Sequence, residues 1–143
     1  VMITKKFDQQ LFQENDEKGK NIVKSFFLRM GIEAIDHPNP YVVDLILQRE
    51  GEPIGYAEVE VRKNWSRDEF PYDTLNVPAR KAKYLKNELP TYFFSINYPL
   101  TRMFVATDDV VLSSPLKENP NKYVAKGELF YDVALDRCKL IVI

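Results

Sequence analysis

The chain has 143 residues, of which 45% are apolar, and its formal net charge is −1. This apolar content excludes wholesale disorder, and a single cysteine excludes both an intrachain disulfide framework and a cysteine-rich zinc site. Because the charges nearly cancel, a role in nucleic-acid binding would have to rest on local patches. The length fits one domain, residues 1–143, with a sizeable core.

The chain carries no sequence signal for a membrane or for export. No apolar run approaches the roughly 20 residues of a membrane helix, and the first ten residues lack the apolar core of a signal peptide. We therefore expect a cytoplasmic protein without membrane contact.

The first half of the chain predicts a helix followed by three strands. Residues 7–30 place their large apolar side chains on one helical face, and Gly31 suits the position after the helix end. A short strand is expected at residues 32–35. Two longer strands, residues 41–48 and 54–62, are joined by a tight turn at residues 49–53.

The second half predicts one more helix and several strands. Residues 64–77 read as an irregular loop, and Pro78 suits the first position of a helix that extends to Leu89. The strands are expected at residues 92–98, 102–106, 110–112, 127–135 and 138–143, the last two as a closing hairpin. This order predicts an α/β or α+β fold around a mixed sheet.

Acidic residues occupy the two long strands at one level. Asp44 lies near the start of the first of them, while Glu58 and Glu60 lie two residues apart in the second and share a face. Neighbouring carboxylates repel, and a divalent cation would compensate. Mg²⁺ takes one or two carboxylates together with water and phosphate oxygens, as metal-dependent phosphodiester cleavage requires. The alternative is a salt-bridged solvent face formed by Glu58, Glu60 and Arg62.

The order of elements and the acids Asp44 and Glu58-Val59-Glu60 resemble the PD-(D/E)XK nuclease superfamily. The segment GKNIVKSFFLRMGIEAI, residues 19–35, is similar to the first helix and strand of archaeal Holliday-junction resolvases and of related phage nucleases. The resemblance covers residues 13–97. It implies a restriction endonuclease-like core in the order α-β-β-β-α-β with extra C-terminal strands. The small, disulfide-free format is compatible with a bacterial or phage protein.

The resemblance also implies an activity and its cofactor. Asp44, Glu58 and the Val59 carbonyl would hold Mg²⁺ or Mn²⁺ in an endonuclease that acts on nucleic acid, DNA more than RNA, and such nucleases often form homodimers. The superfamily's lysine, two residues after the acid, is Glu60 here. Certain restriction endonucleases share that Glu-x-Glu pattern, so Glu60 is interpreted as a base or a second metal ligand.

The resemblance also implies a further metal ligand from the first helix, for which Glu14, Asp16 and Glu17 are the candidates. Helical phase selects Asp16, because it lies closest to the apolar face; an ordinary surface acid is the alternative. Basic residues near the acids would hold phosphate. The candidates for nucleic-acid binding are Arg62, Lys63, Arg80, Lys81 and Lys83, with a solvated helix face as the alternative for the last three.

Aromatic residues Trp65, Phe70 and Tyr72 follow the acids. They would either stack on unpaired bases or pack their loop onto the core.

A second function stays open beside the nuclease: a nuclease-like binding or assembly module without turnover. This hypothesis is favoured because Glu60 stands where the superfamily has its lysine. A third hypothesis is a phage or bacterial structural protein whose strand-rich C-terminal half forms oligomers.

Overall fold

The computed structural model describes residues 2–39, 41–81, 89–121 and 124–143. Two α-helices lie within these residues, α1 (Met2–Leu28) and α2 (Asp108–Leu112). The strands are β1 (Glu33–Asp36), β2 (Leu45–Arg49), β3 (Glu52–Arg62), β4 (Thr74–Pro78), β5 (Thr91–Asn97), β6 (Arg102–Thr107), β7 (Leu116–Asn121), β8 (Val124–Ala134) and β9 (Lys139–Val142). No helix of this described part combines the length and apolar character that a membrane crossing requires.

The strands form two sheets. The larger has the order β1-β2-β3-β5-β6-β9, and the smaller has the order β4-β8-β7. Within the larger sheet β3 and β5 run parallel, whereas the other pairs are antiparallel. The fold is therefore α+β around a mixed sheet, as the sequence predicts.

Apolar side chains cover both faces of the larger sheet. On one face, Val23 and Phe27 of α1 pack with Ala57 and Val59 of β3. On the other face, a second cluster contains Trp65, Leu75, Val77, Phe93, Phe104, Ala106, Val111 and Val133, which joins the two sheets. Central strands that are covered on both sides take apolar residues at nearly every position, and the burial of β5 follows this rule.

The pairing of β3 with β2 ends halfway along β3. The register runs from Arg49↔Glu52 to Leu45↔Ala57, so residues 58–62 of β3 lie beyond the start of β2. Along the same stretch β3 stays paired with β5, from Glu58↔Phe93 to Arg62↔Asn97. Along residues 58–62, the edge of β3 on the β2 side is therefore bordered by side chains and not by β2. The acidic site lies in this gap.

Three sequence predictions of strands are wrong. Residues 41–44 precede β2 instead of belonging to it, and residues 110–112 lie in α2. The closing hairpin is not formed, because β9 pairs with β6 in the larger sheet while β8 pairs with β4 and β7. A 3-10 helix, Leu135–Arg137, carries the chain from one sheet to the other, which a local turn signal at Asp136 does not reveal.

Two other segments also differ from expectation. Strand β4 forms at the end of the predicted loop, and β7 was not predicted, since its sequence LKENPN is rich in residues that strands disfavour. Pro78, expected as the first residue of a helix, is instead the last residue of β4, and a 3-10 helix, Ala79–Lys81, follows it. Residues 82–88 of the predicted helix lie outside the described part.

Candidate active site

Asp44 and Glu58 are joined reciprocally at the gap between β2 and β3. The backbone N–H of Asp44 donates to Oε1 of Glu58 at 3.1 Å, and the N–H of Val59 donates to Oδ2 of Asp44 at 2.8 Å. The Asp44 carboxylate thereby occupies the position that a β2 carbonyl would take if the ladder continued. Both carboxylates are oriented by the backbone, and the sequence prediction that they meet is confirmed.

Lys81 completes this arrangement from the 3-10 helix that follows β4. Its ammonium donates to Oε2 of Glu58 at 3.0 Å, and the side chains are only 18% and 7% exposed, respectively. Burial raises the pKa of Glu58 above its ordinary value, an effect that Lys81 opposes and the nearby Asp44 carboxylate reinforces. Desolvation favours the neutral acid, so a positive charge close to Glu58 stabilises its ionised form.

A pocket of about 260 Å³ opens onto these groups. Its lining residues come from α1, β3 and the segments around them: Asn15, Asp16, Asp44, Glu58, Val59, Glu60, Val61, Lys63, Lys81 and Tyr98. Four of these side chains are acidic and two are basic, so the pocket is negative when all are ionised. An excess of carboxylates around a pocket suits a divalent cation.

Helix α1 brings Asp16 to the pocket, as its helical phase predicts. Gly19 lets the helix approach β3, since a Cβ there would lie 2.8 Å from Cγ2 of Val61. Partial burial raises the pKa of Asp16; the Lys20 ammonium, 3.8 Å away, and Lys81 lower it, while Asp44 raises it. Asp16 therefore shares the electrostatic environment of Asp44 and Lys81.

Glu60 lines the pocket but faces Arg62. The Glu60 carboxylate lies 3.5 Å from the Arg62 guanidinium, and 47% of its side chain is exposed. Arg62 also donates to the Asn76 carbonyl at 2.6 Å. The alternative of an ion-paired strand face thus holds for this pair, although β3 is a central strand.

No three His, Cys, Asp or Glu side chains of the described residues gather closely enough to hold a metal ion between them. The expected single metal-binding cluster of Asp44, Glu58 and Glu60 is therefore not formed, because Glu60 turns to Arg62. Two carboxylates remain together, Asp44 and Glu58, and this number is enough for an ion that takes its other ligands from water and phosphate.

The predicted basic residues have four different outcomes. Lys63 and Lys81 line the pocket, and the expectation that Arg80 or Lys81 reaches the acids is confirmed by Lys81. Arg80 instead pairs with Glu128 at 3.4 Å and is 73% exposed. Lys83 falls outside the described residues, and Arg62 is held by Glu60 and β4.

The loop aromatics mostly pack onto the core. Trp65 is fully buried and stacks on Phe104 with ring centroids 5.3 Å apart, and Phe70 contacts both rings edge-on. Tyr72 is 52% exposed but does not line the pocket. The aromatic residue at the pocket is Tyr98, which the sequence prediction missed. Only the parallel β3–β5 pairing, which sets Arg62 against Asn97, would have revealed its position.

Comparison with known protein families, with curated proteins and with solved structures finds no match for this chain.

Proposed function

We propose that this chain is a metal-dependent phosphodiesterase that cleaves nucleic acid, built on a restriction endonuclease-like core. One observation carries the proposal: two backbone-oriented carboxylates, Asp44 and Glu58, meet a buried lysine at a pocket. The substrate in this proposal is DNA rather than RNA. A homodimer and a cytoplasmic location remain predictions from the resemblance and from the sequence.

Mg²⁺ or Mn²⁺ would be held by Asp44 and Glu58, with Asp16, which lines the same pocket, and the Val59 carbonyl as further ligands. When bound, such an ion neutralises phosphate charge and acidifies a water molecule. Asp44 is kept in place by the Val59 amide, and Glu58 by the Asp44 amide and by Lys81. These contacts preorganise the acids, so little reorganisation is needed when a substrate arrives.

Lys81 supplies the positive charge that the superfamily places two residues after the acid. In this chain that position is Glu60, and Lys81 reaches the same acid from the segment after β4. A lysine beside the reacting phosphate stabilises negative charge that develops during attack by water. Glu60, exposed and paired with Arg62, would act as a base only after leaving that partner.

A binding module without turnover is the second candidate. The Lys81–Glu58 ion pair favours it, because the lysine already provides the charge compensation that a metal ion would otherwise provide. The absence of a three-carboxylate group among the described residues points the same way.

Incubation with plasmid, branched and single-stranded DNA, and with RNA, in the presence of Mn²⁺ tests the proposal. Cleavage that EDTA stops and that Asp44→Asn abolishes is the expected result. Asp36→Asn is the matched control, since Asp36 is an exposed acid paired with Lys24 and lies outside the pocket. Binding without cleavage by the wild-type chain would instead support the module, and equal activity of Asp44→Asn would refute the assigned site.

A further inference from the structure

Tyr98 is an exposed aromatic residue that lines the acidic pocket. It follows the last residue of β5, it is one of the pocket's lining residues together with Glu60 and Lys63, and it is 41% exposed. In the parallel register Asn97 lies against Arg62, so Tyr98 comes beside the residue that follows β3. An aromatic ring that the core does not bury, at a charged pocket, is available to a ligand.

The backbone around Tyr98 is fixed by a buried asparagine. Asn97, fully buried, donates its amide N–H groups to the Arg67 carbonyl at 3.0 Å and to the Thr101 hydroxyl at 2.8 Å. Its Oδ1 accepts from the backbone N–H groups of Thr101 and Arg102, at 2.8 and 2.9 Å.

The loop after β3 holds Tyr98 itself. The Tyr98 N–H donates to the carbonyl of the buried Trp65 at 2.8 Å. The turn is therefore anchored on both sides, and the backbone that carries the ring is held in place before binding. Groups held in this way before binding lose little freedom when a ligand arrives.

We propose that Tyr98 is a stacking platform for a nucleobase, and that the chain takes single-stranded or unpaired nucleic acid. The inference rests on the proposed function for its ligand class and adds the state of the strand. Inside a duplex both faces of every base are covered by neighbouring bases, so a protein ring stacks only on a base that is unpaired or terminal. The phosphate next to a base on Tyr98 would then lie over the acidic pocket.

Fluorescence anisotropy with a labelled oligothymidylate, without metal, tests the platform. Two competitors carry the same phosphate charge: an abasic strand of equal length and a hairpin duplex. Stacking contributes about 1–3 kcal/mol per base, so we expect the wild-type chain to prefer the oligothymidylate over the abasic strand by roughly 5- to 150-fold. Equal affinity for the two strands, or no binding to either, would overturn the proposal without any variant being made.

Variants locate the effect. Tyr98→Ala should remove the preference for bases, while Tyr98→Phe should retain it because the ring is preserved. Tyr72→Ala is the matched control, because Tyr72 is a similarly exposed tyrosine outside the pocket. A Tyr98→Ala chain that keeps the wild-type preference, or a Tyr72→Ala chain that loses it, would assign the stacking elsewhere.

The stacking result and the proposed activity can fail separately. A base preference that depends on Tyr98, in a chain that never cleaves with Mn²⁺, supports the platform and overturns the nuclease. Cleavage of a duplex that is as fast as cleavage of a single strand, and is unaffected by Tyr98→Ala, supports the nuclease and overturns the platform.

Discussion

The ammonium of Lys81 lies 3.0 Å from Oε2 of Glu58, and this ion pair connects the two sheets. Glu58 belongs to the central strand of the larger sheet, whereas Lys81 follows β4 of the smaller one. Because both side chains are largely buried, neither charge is well solvated, and each depends on the other. The position of the smaller sheet therefore determines the electrostatics of the pocket.

Replacing Lys81 by methionine should destabilise the fold and leave Glu58 without its cation. Loss of one partner from a buried ion pair typically lowers the free energy of unfolding by about 3 kcal/mol, and we expect a loss of that order in urea at neutral pH. The loss should shrink in acid, where Glu58 is protonated and needs no cation. Arg80→Met, an exposed neighbour whose pair with Glu128 lies outside the pocket, should change the value by less than about 0.5 kcal/mol. Equal losses in both variants would show that the pair is not buried in solution.

The free energy of unfolding of the wild-type chain should depend on pH through the protonation of Glu58. Burial raises the pKa of Glu58 above its ordinary value of 4.5, so the native state keeps this proton to a higher pH than the unfolded chain does. Between those two pKa values the native state binds more protons, and the free energy of unfolding falls as the pH rises. Glu58→Gln removes this equilibrium, so its stability relative to wild type should increase with pH through that interval.

Urea titrations at a series of pH values measure this difference. Glu60→Gln is the matched control, because Glu60 lies on the same strand two residues away but is half exposed. It should follow the wild-type curve. A Glu58→Gln curve parallel to that of wild type would contradict the raised pKa of Glu58.

Local sequence patterns were sufficient to predict that Asp44 and Glu58 meet, but not which acids join them. Strand alternation placed Glu58 and Glu60 on one face, and the tight turn brought the segment before β2, which carries Asp44, beside Glu58. The helical phase of Asp16 likewise predicted its approach, because side chains of one helical face meet the same surface. These inferences depend on periods of two and 3.6 residues, which the sequence states directly.

The remaining features depend on contacts between distant parts of the chain. The position of Tyr98 depends on the parallel pairing of β3 with β5, two strands that are far apart in sequence. Strand β9 belongs to the larger sheet because it pairs with β6, where Leu140 lies opposite Phe104, a residue far away in sequence. A turn signal between two strand-like segments predicts a hairpin. The same signal is present when the second strand joins another sheet, so it cannot distinguish the two arrangements.

Asp44→Asn should separate metal binding from folding. Asparagine keeps an oxygen that accepts from the Val59 amide, so we expect the free energy of unfolding to change by less than about 1 kcal/mol. Asp44→Ala leaves that amide without its acceptor and should lower the free energy of unfolding by about 1–3 kcal/mol.

Mn²⁺ at a hundredfold excess over its Kd should raise the free energy of unfolding of the wild-type chain by about 2.7 kcal/mol. It should stabilise neither Asp44→Asn nor Asp44→Ala. Calorimetric titration with Mn²⁺ checks the affinity directly, and undiminished binding by Asp44→Asn would remove Asp44 from the ligand set.

The close packing of α1 on β3 should be sensitive to one methyl group. A Cβ at Gly19 would lie 2.8 Å from Cγ2 of Val61 and 3.4 Å from Cγ1 of Val59, so Gly19→Ala should push α1 away from the strand. Overpacking of this kind costs typically 1–3 kcal/mol, while alanine gains about 1 kcal/mol of helix propensity over glycine. The expected result is a net loss of about 1 kcal/mol in the free energy of unfolding, together with weaker Mn²⁺ binding, since Asp16 moves with the helix.

A double-mutant cycle isolates this contact. Val61→Ala removes the methyl group that Gly19→Ala would meet, so the double variant should be more stable than the sum of the two single effects predicts. Mn²⁺ affinity should recover with it, because α1 can then return to its position and bring Asp16 back to the pocket. Additive losses, or Mn²⁺ binding that does not follow the packing at residue 19, would show that the distance between α1 and β3 does not control the site.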